Sequence, residues 1–197
     1  MKRIVVGISG ASGVITGIRL LQRLHNFAEV HLIISRAARE VIRRETLLFP
    51  SQIAEFATSV YANDDLSAPI ASGTFLTGGM VIAPCSMKTL AGIAHSYADT
   101  LMVRAADVTL KQRRPLVLAV RETPLHLGHL RLMTAIAENG GAIAPFMPAF
   151  YIKPESIDEL IHHWVGQVLD LLGLDHDMPS RYNGTEKAVS SCRKNPS

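Results

Sequence analysis

The sequence predicts an α/β fold, a three-layer sandwich in which helices cover both faces of a parallel sheet, and three observations carry that expectation. Short apolar, β-branched runs recur along the chain with helical patterns between them. Hydrophobic residues make up 48% of the 197 residues while aromatics contribute only 6%, so burial falls to Ala, Val, Ile and Leu, the residues of tight helix-on-sheet packing. The first run also opens through a glycine- and serine-rich turn into an amphipathic helix, the way a right-handed crossover begins.

Ile4 to Ile8 reads as a strand buried on both faces, because its apolar residues are nearly continuous rather than alternate. Gly10 and Gly13 permit the sharp turn that follows, and Val14 to Leu24 has the apolar spacing of a helix. Val30 to Ile34 is the second strand, and Ala37 to Thr46 is a helix with many charges. Further strands are expected at Met80 to Ala83, Leu116 to Val120 and Ala142 to Ala144, with helices at Thr89 to Val103, His126 to Asn139 and Ile157 to Leu172. The last helix carries its own start signal, Ser156 and Glu159 in an S-x-x-E capping box after Pro154, and stops at Gly173. Gly140 and Gly141 close the helix before it. Two connections are unusual. Leu66 to Gly79 is long and too apolar for an ordinary solvent loop, and Pro145 to Pro154, PFMPAFYIKP, is stiffened by its prolines. Residues 1–182 form one domain, followed by a polar tail at 183–197.

The turn from Ser9 to Gly13 has the build of an anion site. Its glycines allow close approach, and Ser9 and Ser12 stand beside the N–H groups that a helix start leaves unpaired. The alternative is a plain strand-to-helix turn whose serine caps the helix. A dinucleotide site would need G-x-G-x-x-G and an acidic residue at the end of the next strand. Here the glycines fall at 7, 10, 13 and 17, the next strand ends in Ser35 and Arg36, and Glu29 lies at its other end. A mononucleotide with one phosphate fits better than NAD. Ligands of open parallel sheets bind beyond the C-terminal ends of the strands. Those ends present Ser9 to Gly13, Ser35, Pro84 to Thr89, and Arg121 with Glu122. Ser86, Lys88 and Thr89 repeat the donor-rich turn at a second helix start, and Arg121 is a fixed cation suited to phosphate or a ring carbonyl. Lys111, Arg113, Arg114 and Arg121 flank one strand and are candidates for a phosphorylated ligand.

Other classes fail on pattern. The net charge of +3 is spread over helices with acids interleaved, as in Arg39, Glu40, Arg43, Arg44 and Glu45, without the aromatic platform of a nucleic-acid groove. No apolar run approaches the ~18 residues of a membrane helix, and Met1, Lys2 and Arg3 lead straight into a strand, so a cytoplasmic protein is expected. Two cysteines, Cys85 and Cys192, cannot make a disulfide framework. Cys85 follows a strand without a base nearby in sequence, and a small buried thiol is the expectation. His126 and His129 share a helix face without a carboxylate partner, and His162 and His163 point apart on a helix, so no metal site is expected. G-x-S-x-G is absent.

SGASG after the first strand, SRAAREVIRRET with Glu45, ASG at 71–73, the block PCSMKTLAGIAHSYADTLMVRAADVTLKQRRPLVLAVRETPLHLGHLRLM and PAFYIKP together closely resemble the UbiX-type flavin prenyltransferases, in particular those of phenolic acid decarboxylase systems. The resemblance covers residues 3–182. It implies a Rossmann-like (flavodoxin-like) flavoprotein that binds FMN and dimethylallyl phosphate at the subunit interfaces of a homododecamer. It implies prenylation of reduced FMN at N5 with ring closure at C6, without a metal, giving prenylated FMN for a UbiD-type decarboxylase. Carried over by position, Gly10, Ala11, Ser12, Ser35, Ser86, Met87, Lys88, Thr89 and Arg121 resemble the FMN contacts. Ser12, Glu45 and Glu122 resemble catalytic residues, and Arg104, Lys111 and Tyr151, with position 167, the prenyl phosphate residues.

The chain departs from that family at three positions. Thr16 stands where an aromatic is usual, Gln167 where a basic residue is usual, and Tyr182 where Trp is usual. The amide of Gln167 replaces a charge-assisted phosphate contact, a bond worth about 1.5 to 3 kcal/mol, so weakened prenyl phosphate binding with FMN binding retained is expected. Two other readings compete. One is a non-catalytic FMN carrier or assembly subunit for the decarboxylase. The other is a cysteine-type oxidative decarboxylase, which would need a histidine in the loop before the third strand and a P-x-M-N motif, whereas Ser67 to Pro84 holds no histidine and the chain has no P-x-M-N.

Overall fold

The computed structural model describes residues 1–178. The tail at 183–197, Tyr182, Cys192 and the end of the domain at 182 lie outside the described residues.

Six parallel strands form the sheet: β1 (Lys2–Ile8), β2 (Ala28–Ile34), β3 (Ser59–Tyr61), β4 (Gly79–Cys85), β5 (Leu116–Val120) and β6 (Ala142–Ile143). Their spatial order is β3-β2-β1-β4-β5-β6. The chain therefore winds outward from β1 in one direction and from β4 in the other, and the strand order reverses between them. The helices are α1 (Val14–Leu24), α2 (Arg36–Glu45), α3 (Pro50–Ala54), α4 (Met87–Ala94), α5 (Leu101–Lys111), α6 (Leu127–Glu138) and α7 (Ile157–Leu171), with 3-10 turns at Pro69–Ala71 and Phe150–Ile152. None of them is long and apolar enough to cross a membrane.

Alternation along the strands divides the core into two layers. Ile4, Val6 and Ile8 pack with Val81 and Ala83 under α1 and α7, whereas Val5, Met80 and Ile82 pack under α4 and α5. Both faces are thus covered, which is why these strands read as continuous apolar runs. α1 lies close against the sheet. A Cβ on Gly17 would stand 2.0 Å from the carbonyl oxygen of Ala83, so only glycine lets this helix lie against β4.

Three departures from the sequence reading have local causes. β3 is an additional strand whose three residues are too few to show a period. The single helix expected at Thr89 to Val103 is two helices, broken by Ser96 in a left-handed conformation (φ 53°), with the Tyr97 N–H donating to the Gly92 carbonyl at 2.8 Å. His126 stands outside α6 and caps it, its Nδ1 accepting from the Gly128 N–H at 3.0 Å, rather than lying on the helix face. The long apolar connection before β4 is a packed element. Its own Ala68 and Ile70 are buried, and the Arg114 guanidinium donates to the carbonyls of Gly73 and Phe75 at 2.8 and 2.9 Å.

Gly17→Ala should lower stability by about 3 kcal/mol, the upper part of the usual overpacking range. Urea unfolding of mutant and wild type at one protomer concentration checks this, and an unchanged midpoint would show that α1 can lift off β4.

Candidate active site

The loops at the C-terminal ends of the four central strands are tied to one another by hydrogen bonds. Ser9, 1% exposed, follows β1; its hydroxyl donates to the Pro84 carbonyl at 2.8 Å and accepts from the Ser86 N–H at 2.7 Å. The Ser35 N–H donates to the Ile8 carbonyl at 3.0 Å, and the Arg121 N–H donates to the Cys85 carbonyl at 3.0 Å. Ser12, Ser35, Ser86 and Arg121 therefore stand along one rim, after adjacent strands, as the strand-end rule predicts. Ser35 and Ser86 cap α2 and α4, their hydroxyls accepting from the N–H groups of Ala38 and Thr89 at 3.1 and 3.4 Å. Gly10 belongs to the same packing: a Cβ there would come 2.4 Å from that of Ala37, so the turn and the start of α2 meet without space between them.

A cleft of about 630 Å³ opens at this rim. Ser12, Gly13, Thr16, Arg121 and Glu122 line its polar side, while Val120, Leu125, Phe146 and Met147 supply apolar wall. Glu45 reaches the same place from the end of α2. Its Oε2 accepts from the N–H groups of Gly13 and Val14 at 2.8 and 3.2 Å. The anion expected at this turn is thus supplied by the protein itself, and a phosphate on the same two donors would meet its charge. Gly13 precedes α1 with φ 89°, which aims both N–H groups at the carboxylate. Thr16, the small residue at a position expected to be aromatic, folds its hydroxyl back to the Gly13 carbonyl at 2.8 Å and leaves the cleft wider.

The remaining predicted residues divide into four places. Met87, Lys88 and Thr89 form the start of α4 beside the rim, with the Lys88 ammonium 3.0 Å from Asp99. Arg104 lies on α5, its guanidinium donating to the Ala71 carbonyl at 3.1 Å and to Asp107 at 3.0 Å. Lys111 ends α5, and Arg113 and Arg114 follow it before β5 begins. These three basic residues are at the opposite rim from Arg121, separated by the length of β5, five residues or about 17 Å. The four cations flanking one strand are not one patch. Tyr151 and Gln167 meet instead at a residue that sequence reasoning passed over, His163, whose Nε2 is 3.0 Å from the Tyr151 hydroxyl and 3.4 Å from the Gln167 amide nitrogen. Gln167 lines a second cleft with Ala144, Trp164 and Pro145, and Pro145 also borders the first. Burial was the missing signal, since His163 is 3% exposed while its neighbour His162 faces outward toward Asp158.

Cys85 is wholly buried at the end of β4, and desolvation pushes its thiol up to about 12, so it is protonated at neutral pH and packs as a small apolar group. His126 and His129 lie with ring centroids 3.6 Å apart beside the cleft loop. Among the described residues no group of three or more His, Cys, Asp or Glu side chains is gathered as metal ligands would be.

The family model for flavoproteins matches residues 1–161. The flavin prenyltransferase UbiX of Escherichia coli K12 is 53% identical over 188 residues, covering 93% of this chain and all of that protein. Among solved structures, AnUbiX (PadA1) in complex with FMN and dimethylallyl pyrophosphate superposes with a TM-score of 0.90 at 46% identity, covering 94% of this chain and 99% of that one. A dodecameric FMN-dependent UbiX-like decarboxylase from E. coli O157:H7 gives 0.89 at 45% identity, covering 93% of this chain and 100% of that one. The FMN-dependent cysteine decarboxylase SpaF, at 18% identity and a TM-score of 0.60 over 74% of this chain and 84% of that one, shares the fold alone. With a rim of tied loops, a cleft joining serine, arginine and carboxylates, and near-full-length identity of this order, the chain belongs to the flavoprotein family and, within it, to the UbiX-type flavin prenyltransferases.

Proposed function

We propose that this chain transfers the dimethylallyl group of dimethylallyl phosphate to reduced FMN, at N5 and C6, and so makes prenylated FMN for a UbiD-type aromatic acid decarboxylase. The observation that carries the reading is the convergence of Ser12, Glu45, Arg121 and Glu122 at the strand switch point beside an apolar wall. The cleft fits a flavin: its apolar side suits a flat ring, and Arg121 suits the electron-rich carbonyl edge. Gly10, Ala11, Ser12, Ser35, Arg121 and the segment Ser86 to Thr89 would hold it. When bound, the reduced flavin supplies the nucleophilic ring atoms that take the prenyl carbon.

The rest falls to side chains. Departure of phosphate leaves an allylic cation, and the apolar wall of Val120, Phe146 and Met147 excludes the water that would quench it. Glu45, held by two N–H groups, is a fixed negative charge at the cleft, and Glu122 on the rim is placed to accept the proton released in ring closure. Arg104, Lys111, Tyr151 and Gln167 belong to the prenyl phosphate in this reading. None of them lines the cleft of its own chain, so neighbouring copies bring them to it. Exposed Leu125, Leu127 and Leu130, beside the rim and along α6, offer an apolar surface for such assembly, and a homododecamer is the proposed form. A cytoplasmic location belongs to the same reading.

Gln167 favours a second reading, a non-catalytic flavin carrier or assembly subunit, because an amide offers the phosphate no charge. Anaerobic incubation with reduced FMN and dimethylallyl phosphate separates the two: the flavin should gain a five-carbon unit by mass, and an unchanged flavin mass would favour the carrier. Arg121→Ala should weaken FMN binding roughly tenfold or more, as loss of a charge-assisted contact does; flavin fluorescence titration measures it, and unaltered affinity would remove Arg121 from the site. Gln167→Arg should tighten dimethylallyl phosphate about tenfold by restoring that charge, seen as a lower KM with FMN affinity unchanged. An unmoved KM would show that position 167 does not meet the phosphate.

A further inference from the structure

Ala71, Ser72 and Gly73 stand outside the cleft, in the packed connection before β4. Two arginines tie that connection to α5 and to the turn after it. Arg114 donates to the carbonyls of Gly73 and Phe75 and to the Thr77 hydroxyl, and the Arg104 Nε donates to the Ala71 carbonyl at 3.1 Å. The start of α5 is pinned as well. Its Leu101 and Met102 N–H groups donate to the backbone carbonyl and the side-chain oxygen of Asn63 at 2.8 and 3.0 Å. Arg104 therefore springs from a fixed helix toward a fixed carbonyl.

A guanidinium is a rigid plane with three nitrogen corners. Two of them are held here, Nε by the Ala71 carbonyl and Nη1 by Asp107, whose Oδ2 accepts at 3.0 Å from one turn further along α5. Two held corners fix the plane and its rotation. The third corner, Nη2, takes no partner from the described residues, so both its hydrogens are available. The Arg104 side chain is 35% exposed and that of Asp107 25%, which leaves the pair within reach of an incoming anion. A loose arginine loses rotamer freedom when it binds a ligand; this one has lost it beforehand.

We propose that Asp107 is a positioning residue for the prenyl phosphate. Together with the Ala71 carbonyl it aims the Nη2 corner of Arg104 outward, as a two-hydrogen donor for the phosphate oxygens. The carboxylate also offsets part of the guanidinium charge, so Arg104 acts by direction more than by charge. This rests on the proposed function, in which Arg104 meets dimethylallyl phosphate at a neighbouring copy's cleft.

Calorimetry on the full-length protein loaded with oxidised FMN, the form that the proposed transfer does not use, reads the Kd of dimethylallyl phosphate directly. Asp107→Leu and Asp107→Asn remove the same charge, but the asparagine oxygen can still accept from Nη1. Asp107→Leu should therefore bind dimethylallyl phosphate about fivefold more weakly than Asp107→Asn, as expected when one long side chain must be ordered on binding, with FMN affinity equal in the two. Arg104→Ala alone should weaken binding about tenfold. With Arg104→Ala already present, the difference between the two Asp107 variants should shrink below about twofold. Should Asp107→Leu fail to take up FMN, Asp107→Ala replaces it in the same comparison. Equal Kd values for the two Asp107 variants overturn the proposal, as does a difference that persists without Arg104. An unchanged Kd in Arg104→Ala overturns it too and removes Arg104 from the phosphate, while the functional reading still stands on its transfer assay. A wild type that binds no dimethylallyl phosphate overturns the functional reading and this one with it.

Discussion

The hydroxyl of Ser9 is the small interaction on which the rim depends. Where strand order reverses, the chains leaving β1 and β4 depart to opposite faces of the sheet, and their backbone groups lose the partners that the ladder would have given them. Ser9 takes both ends at once, donating to the Pro84 carbonyl and accepting from the Ser86 N–H in a place closed to water. A buried donor or acceptor left unpaired costs about 1 to 3 kcal/mol, so the geometry is held by the penalty for breaking it. The same bond sets how far the turn before α1 stands from the start of α4, and therefore the width of the crevice between them.

That crevice is electrostatically unusual for a helix start. The two N–H groups that begin α1 are given to Glu45, a residue of the same chain 31 and 32 positions away. The partial positive charge of the helix end and the carboxylate largely offset one another, and the remaining charges on this side of the cleft are the Arg121 guanidinium and the Glu122 carboxylate beside it. In the proposed function such a division suits a reaction that forms a cation next to an anionic leaving group, with Glu45 as the fixed carboxylate, Arg121 as the guanidinium proposed for the flavin, and apolar surface between them.

Much of this was legible in the sequence, and the parts that were not share a cause. Strands buried on both faces announce themselves as unbroken apolar runs, and the rule that ligands gather at strand C-termini then placed Ser12, Ser35, Ser86 and Arg121 together. β3 escaped because Ser59–Tyr61 is shorter than any period it could display. The break between α4 and α5 escaped because apolar spacing runs through it, while the backbone turns at Ser96 by a left-handed step that serine seldom signals. Glu45 at the start of α1 and His163 beneath Tyr151 are products of packing between elements distant in sequence, and periodicity within one element carries no trace of either. Glu45 entered the sequence reading only through the family resemblance, and the contacts of both residues needed coordinates.

The separation of the cations has a structural consequence of its own. A parallel sheet sends every strand the same way, so residues entering β5 and residues leaving it are held apart by its full length, and no side-chain rotation brings Lys111 to Arg121. Packing likewise commits Arg104 to the Ala71 carbonyl and Asp107. A site that uses both groups of cations cannot be closed within one copy of this fold. Under the proposed function it is closed by a second copy whose opposite rim or α7 face is set against the first copy's cleft, and assembly is then part of the chemistry rather than an addition to it. Under the proposed function the exposed leucines beside the cleft are then more than a tolerated apolar patch, since a second copy that buries them is the one proposed to bring the prenyl phosphate residues into range.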